Sequence, residues 1–109
     1  MTTATRYPDI VETRLPALAE LCRRFGVRRL DLFGSAVTGK FDPARSDLDF
    51  LVEFKEHRPG SYGHACFELH RELEELFGRA VDLLTEPSLK NPYLRRQIES
   101  EKQTVYPPP

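Results

Sequence analysis

Asp47, Leu48 and Asp49 put two carboxylates at spacing i and i+2, with eleven residues between them and the dipeptide Gly34-Ser35. On an extended strand successive side chains point to opposite faces, so these carboxylates share one face and Leu48 and Phe50 share the other. Two like charges this close are unfavourable unless a cation neutralises them or one takes up a proton. Carboxylate oxygens suit Mg²⁺, which typically takes one or two protein carboxylates and completes its shell with waters and substrate phosphates. The dipeptide supplies a complement. Glycine permits a positive φ or a close backbone approach, and N–H groups that open a helix can receive a phosphate. A cation site and a phosphate site on one short segment point to nucleotide chemistry. Ser46 either caps or orients Asp47 or is a plain loop serine.

The surrounding elements must hold that segment. Leu15, Leu18, Leu21, Cys22 and Phe25 recur at helical spacing, predicting a helix over 14–25 with Thr13 as N-cap, Pro16 in its first turn and Gly26 as its stop. Residues 28–33 read as a first strand with Leu30 and Leu32 inward, 35–40 as a short helical turn, and 41–46 as a loop. Residues 47–54 read as a second strand, with Leu48, Phe50, Val52 and Phe54 apolar and Asp47, Asp49, Leu51 and Glu53 opposite. A charged loop at 55–60 breaks at Pro59-Gly60. A second long helix over 61–77 buries Ala65, Leu69, Leu73, Leu76 and Phe77. A third strand follows at 79–85 and a last helix at 92–102, then Val105-Tyr106 and a proline tail. Residues 1–12, apart from docking by Tyr7 and Ile10, and residues 107–109 are expected to be loose. The alternation predicts an α+β domain, a small mixed sheet with helices packed on one face.

In the third strand Val81 and Leu83 point one way and Asp82 the other. The face opposite the helices then carries Asp47, Asp49 and Asp82 from two neighbouring strands. Three carboxylates can hold two metal ions about 3.5–4 Å apart, which activates an attacking oxygen and neutralises a leaving pyrophosphate. Asp31 and Glu53 can reach the same face, but such positions are usually solvated charges. His64 and His70 are poorly spaced for shared ligation and receive no role, and Arg71, Glu72, Glu74 and Glu75 read as a solvated face.

Composition narrows the alternatives. With 109 residues the chain makes one domain with no room for a second, substrate-binding one. A net charge of −1 argues against direct nucleic-acid binding. The apolar runs fall short of a membrane span and no signal peptide opens the chain, so a cytoplasmic location is expected. Cys22 and Cys66 read as buried thiols, without the spacing of a zinc site.

The segment Phe33-Gly34-Ser35, the spacer 36–46, Asp47-Leu48-Asp49 and Asp82 within Ala80-Val81-Asp82-Leu83-Leu84 resembles the polymerase-β-like nucleotidyltransferase superfamily. The chain looks like the minimal nucleotidyltransferases (MNT), whose tails carry a pattern like Tyr93-Leu94-Arg95-Arg96-Gln97-Ile98-Glu99 before an apolar-Tyr pair, here Val105-Tyr106. The resemblance implies a mixed sheet backed by helices, two Mg²⁺ ions and ATP as substrate. It implies catalytic and metal-binding roles for Asp47, Asp49 and Asp82, and nucleotide binding at Gly34, Ser35, Lys40 and Ser46. Many relatives carry an arginine in the stretch after the Gly-Ser turn. Here that stretch is Ala36-Val37-Thr38-Gly39, and Lys40 and Arg45 are the nearest cations. Many minimal members are antitoxins of HEPN-domain ribonuclease toxins, and some silence the toxin by transferring AMP to a tyrosine.

Three functions follow as expectations: AMP transfer to a HEPN toxin, neutralisation of that toxin by binding alone, and nucleotidyl transfer to a small molecule such as an aminoglycoside. The absence of a second domain argues against the third.

Overall fold

The structure is a computed structural model that describes residues 8–55, 62–85 and 89–108. Along the chain lie α1 (Asp9–Glu12), α2 (Leu15–Arg24), β1 (Val27–Phe33), α3 (Ser35–Thr38) and β2 (Leu48–Phe54). They are followed by α4 (Tyr62–Phe77), β3 (Val81–Thr85), α5 (Pro92–Glu101) and β4 (Gln103–Tyr106). The strands form one mixed sheet in the order β3-β2-β1-β4. β1 runs antiparallel to both β2 and β4, whereas β2 and β3 are parallel. A parallel pair needs a long crossover, and α4 provides it.

Periodicity explains which surfaces meet. Leu18, Leu21 and Cys22 of α2 and Leu69, Leu73 and Phe77 of α4 pack on Leu30, Leu32, Leu48, Phe50 and Val52 of the sheet. Phe50 is fully buried, and its ring stacks on Phe77 with centroids 5.9 Å apart. Burying such a side chain contributes about 1.5–3 kcal/mol, so these rows fix which sheet face takes the helices. The mixed sheet with packed helices is thus as expected. A smaller cluster of Phe33, Leu51, Leu89 and Ile98, with Leu84 against it, covers the middle of the other face and docks α5 there.

Several local expectations change. α1 lies inside the stretch expected to be loose, because Val11 is fully buried in the main core. Thr13 does not cap α2; its hydroxyl donates to the Asp9 carbonyl at 2.8 Å and closes α1 instead. Arg14 precedes α2, and its guanidinium donates to the carbonyls of Leu76 at 3.0 Å and Ile10 at 3.3 Å, tying α1 to the end of α4. β2 begins at Leu48, which leaves Asp47 one residue ahead of the strand. β4 was foreseen only as an apolar-aromatic pair. Cys22 and Cys66 are both free thiols, and burial pushes Cys22 up to about 12. Tyr7 and the 56–60 part of the expected charged loop lie outside the described residues.

Asp31 is not a solvated charge. It is 2% exposed, accepts from the Thr104 hydroxyl at 2.7 Å and from Arg29 Nε at 3.1 Å, and pairs with Lys102 Nζ at 3.3 Å. This buried carboxylate joins β1 to β4 and to the residue that ends α5. Charges leave water only when they are paired and hydrogen-bonded, and here both conditions are met. Glu53 does reach solvent, in an ion pair with Arg28 at 3.0 Å.

Candidate active site

One row of residues crosses the sheet at the start of β2. Asp49 is the Cα partner of Phe33 on β1 and of Asp82 on β3. Alternation then sends the Asp49 and Asp82 side chains to the same face, away from α2 and α4. The two carboxyls lie close enough that a proton held between them raises Asp49. Asp49 is half-buried and Asp82 is exposed, so the pair sits at the mouth of the site with Asp82 outermost. Asp49 is pushed up to about 6, first by burial, then by the bond to Asp82 and the charges of Asp82 and Asp47. At neutral pH the pair calls for a proton or a cation.

Asp47 is exposed and contributes through its charge. Among the described residues no three His, Cys, Asp or Glu side chains stand close enough together to form a ready metal cage. The expected trio is therefore a close pair with a third carboxylate outside it. The donor set still fits Mg²⁺, which binds through one or two carboxylates and takes its other ligands from water and phosphate.

The Gly-Ser turn lies against this pair. Gly34 has φ +77° and precedes the first residue of α3, and a Cβ built on it would run into the Asp49 carboxylate oxygen. Glycine is thus required twice here, by the backbone angle and by the close approach. Ser35 opens α3 and is partly exposed. Lys40 is exposed just past α3 and makes no ion pair among the described residues; the structure does not join it to the carboxylates. Ser46 serves its own loop: its hydroxyl oxygen accepts from the Asp42 N–H at 2.9 Å, and its N–H donates to the Asp42 carbonyl at 2.8 Å.

Arg79 is a residue that the sequence reading passed over. Its guanidinium donates to the carbonyls of Ser46 and Pro43, both at 2.9 Å, and lies 5.0 Å from the centroid of the Phe41 ring. One side chain thus holds the 41–46 loop that delivers Asp47. A further clasp comes from the Leu48 N–H, which donates to the Ala80 carbonyl at 3.2 Å. A lone arginine before a strand carries no motif, so only the folded loop exposes this role.

One sheet face is thus packed on helices, and the other carries an acidic pair with a glycine turn against it. Residues 17–105 match the nucleotidyltransferase domain, and the chain belongs to that family. Protein adenylyltransferase MntA of Thermococcus cleftensis is 44% identical over 72 residues, spanning 66% of this chain and 69% of its own. A protein of Methanocaldococcus jannaschii named for protein adenylyltransferase activity is 37% identical over 78 residues, spanning 72% of this chain and 76% of its own. A solved structure described as a minimal nucleotidyltransferase is 36% identical and superposes with a TM-score of 0.70, covering 87% of this chain and 92% of the other. The fold is also that of the Shewanella oneidensis complex of a tri-AMPylated HEPN toxin with its MNT antitoxin. There the TM-score is 0.62 and the identity 20%, covering 89% of this chain and 72% of that one. No helix among the described residues is long and apolar enough to cross a membrane.

Proposed function

We propose that this nucleotidyltransferase is a Mg²⁺-dependent antitoxin that moves AMP from ATP to a tyrosine of a HEPN-domain toxin in the cytoplasm. The observation that carries the reading is the Asp49–Asp82 pair set in strand register beside Gly34. Relatives named protein adenylyltransferase and the fold shared with HEPN-bound antitoxins support it.

Asp47, Asp49 and Asp82 would hold Mg²⁺, which when bound neutralises their charge and that of the triphosphate. The turn at Gly34-Ser35 would receive the phosphates, with Lys40 and Ser46 at its margin. The tyrosine oxygen attacks the α-phosphorus, forming one P–O bond as the bond to the bridging α,β-oxygen breaks. Pyrophosphate leaves, and the phenolic proton passes to solvent by way of Asp82, the exposed member of the pair. Such transfer rests on positioning and charge neutralisation, so no covalent enzyme intermediate is needed.

The test is to mix the chain with a candidate HEPN-domain toxin, Mg²⁺ and ATP, and to weigh the toxin by mass spectrometry. Added AMP on a tyrosine supports the proposal. A tight complex with unmodified toxin would mean neutralisation by binding alone.

A further inference from the structure

Among the described residues β3 is the edge strand of the sheet, paired on one side, with β2. In a parallel pair alternate residues turn their N–H and C=O groups toward the partner, so the residues between them turn these groups outward. Val81, directly before Asp82, has both groups taken by side chains of α4. Glu74 Oε2 accepts from the Val81 N–H at 3.0 Å, and His70 Nε2 donates to the Val81 carbonyl at 2.6 Å. His70 and Glu74 stand one helical turn apart and 3.5 Å from each other. They act as a short mimic of the missing neighbouring strand. His70, given no role from sequence, and Glu74, read as a solvated charge, together grip the backbone of a single residue on both sides.

The Val81 side chain is buried against the core beneath this grip. The residue before Asp82 is therefore fixed by its side chain, its N–H and its C=O. We infer that His70 and Glu74 are positioning residues for nucleotidyl transfer, holding the start of β3 so that the Asp82 carboxylate stays beside Asp49 for metal binding. This rests on the reading of Asp82 as a metal ligand. Outer groups that orient a ligand typically contribute about 10–100-fold to metal affinity.

The test titrates the purified chain with Mn²⁺ in the presence of α,β-methylene ATP, which cannot release pyrophosphate. Glu74→Ala and His70→Phe should each weaken Mn²⁺ binding by about tenfold, the low end for an outer partner. Glu74→Gln keeps an oxygen acceptor for the Val81 N–H and should stay within about threefold of the native chain, because the grip is a hydrogen bond and not a charge effect. Glu75→Ala, on the same helix and paired among the described residues with Arg71, is the control for general loosening of α4 and should bind normally. If Glu74→Ala fails to melt cooperatively, His70→Phe carries the measurement. Native Mn²⁺ affinity in both Glu74→Ala and His70→Phe overturns the inference and leaves the pair as mere protection of the strand edge. Asp82→Asn with native affinity would instead remove the site reading, and the inference with it.

Discussion

Asp49 occupies the space that a side chain on Gly34 would need. The turn that opens α3 and the first carboxylate of β2 are fitted to each other, and φ at Gly34 is +77°. Gly34→Ala should therefore cost about 1–3 kcal/mol in stability, from backbone strain alone. It should also displace the Asp49 carboxylate and abolish Mn²⁺ and ATP binding. Lys40→Ala, at an exposed side chain without an ion pair among the described residues, should weaken ATP binding far less. Calorimetry on the two variants checks the ranking; the reverse order would place the triphosphate on Lys40.

Asp49 gives the metal-free protein a pH dependence of defined sign. Its folded value, about 6, lies above the ordinary 3.8, so between these values the folded chain holds more proton than the unfolded one. Stability should then fall as pH rises from about 4 to 6 and level off above. Asp49→Asn should melt higher than the native chain at pH 8 in the presence of a chelator. Because the carboxyl is half in solvent, about 1 kcal/mol is the expected gain. The gap should close near pH 4, and added Mg²⁺ should stabilise only the native chain. Thermal melts at the two pH values decide it.

Asp82→Asn is nearly isosteric, and its side chain is exposed. The fold and toxin binding should survive, with a melting temperature at or slightly above the native one because a charge beside Asp49 is gone, while AMP transfer falls by about 100-fold or more. An AMP-transfer assay paired with toxin neutralisation in cells gives the answer. Full neutralisation by the inactive variant would leave binding alone as the function.

Arg79→Lys should loosen the loop at 41–46. A lysine has one compact donor group and cannot bridge the Ser46 and Pro43 carbonyls while lying against Phe41. The expected cost is about 1–2 kcal/mol, with weaker Mn²⁺ binding because Asp47 follows Ser46 directly. Thermal melts and the Mn²⁺ titration read the two effects separately.

Asp31→Ala should be the most damaging of these changes to the fold. It removes the acceptor of Thr104 and of Arg29 and one of the two carboxylates that pair with Lys102, and each hydrogen bond to a charged group contributes about 1.5–3 kcal/mol. Hydrogen exchange should show β4 released first.

Alternation within 48–54 was enough to separate Asp49 from Phe50, and helical spacing was enough to find α2 and α4. Hence the acidic pair and the core face were legible in the residues. The order of the strands was not, because a strand's own pattern does not say which neighbour it will pair with. β4 has only four residues, and its pairing depends on Asp31 and Thr104 meeting across 73 positions. Ser46 and Asp47 could be named, but not the arginine that holds their loop. Arg79 acts through backbone groups 33 and 36 positions away, and His70 and Glu74 through those of Val81, 11 and 7 positions on; a side chain that bonds backbone leaves no residue-type spacing to read. The same holds for α1, where a single buried valine orders a segment that is otherwise polar.

The parallel register of β2 and β3 also decides which face of the sheet the acidic pair can occupy. Moving β3 by a single residue would turn Asp82 into the apolar layer beneath α4 and bring Val81 or Leu83 out beside Asp49. A buried, unpaired carboxylate is too costly for that arrangement to persist. A one-residue slip of β3 is therefore excluded, and what His70 and Glu74 restrain is displacement within this one register.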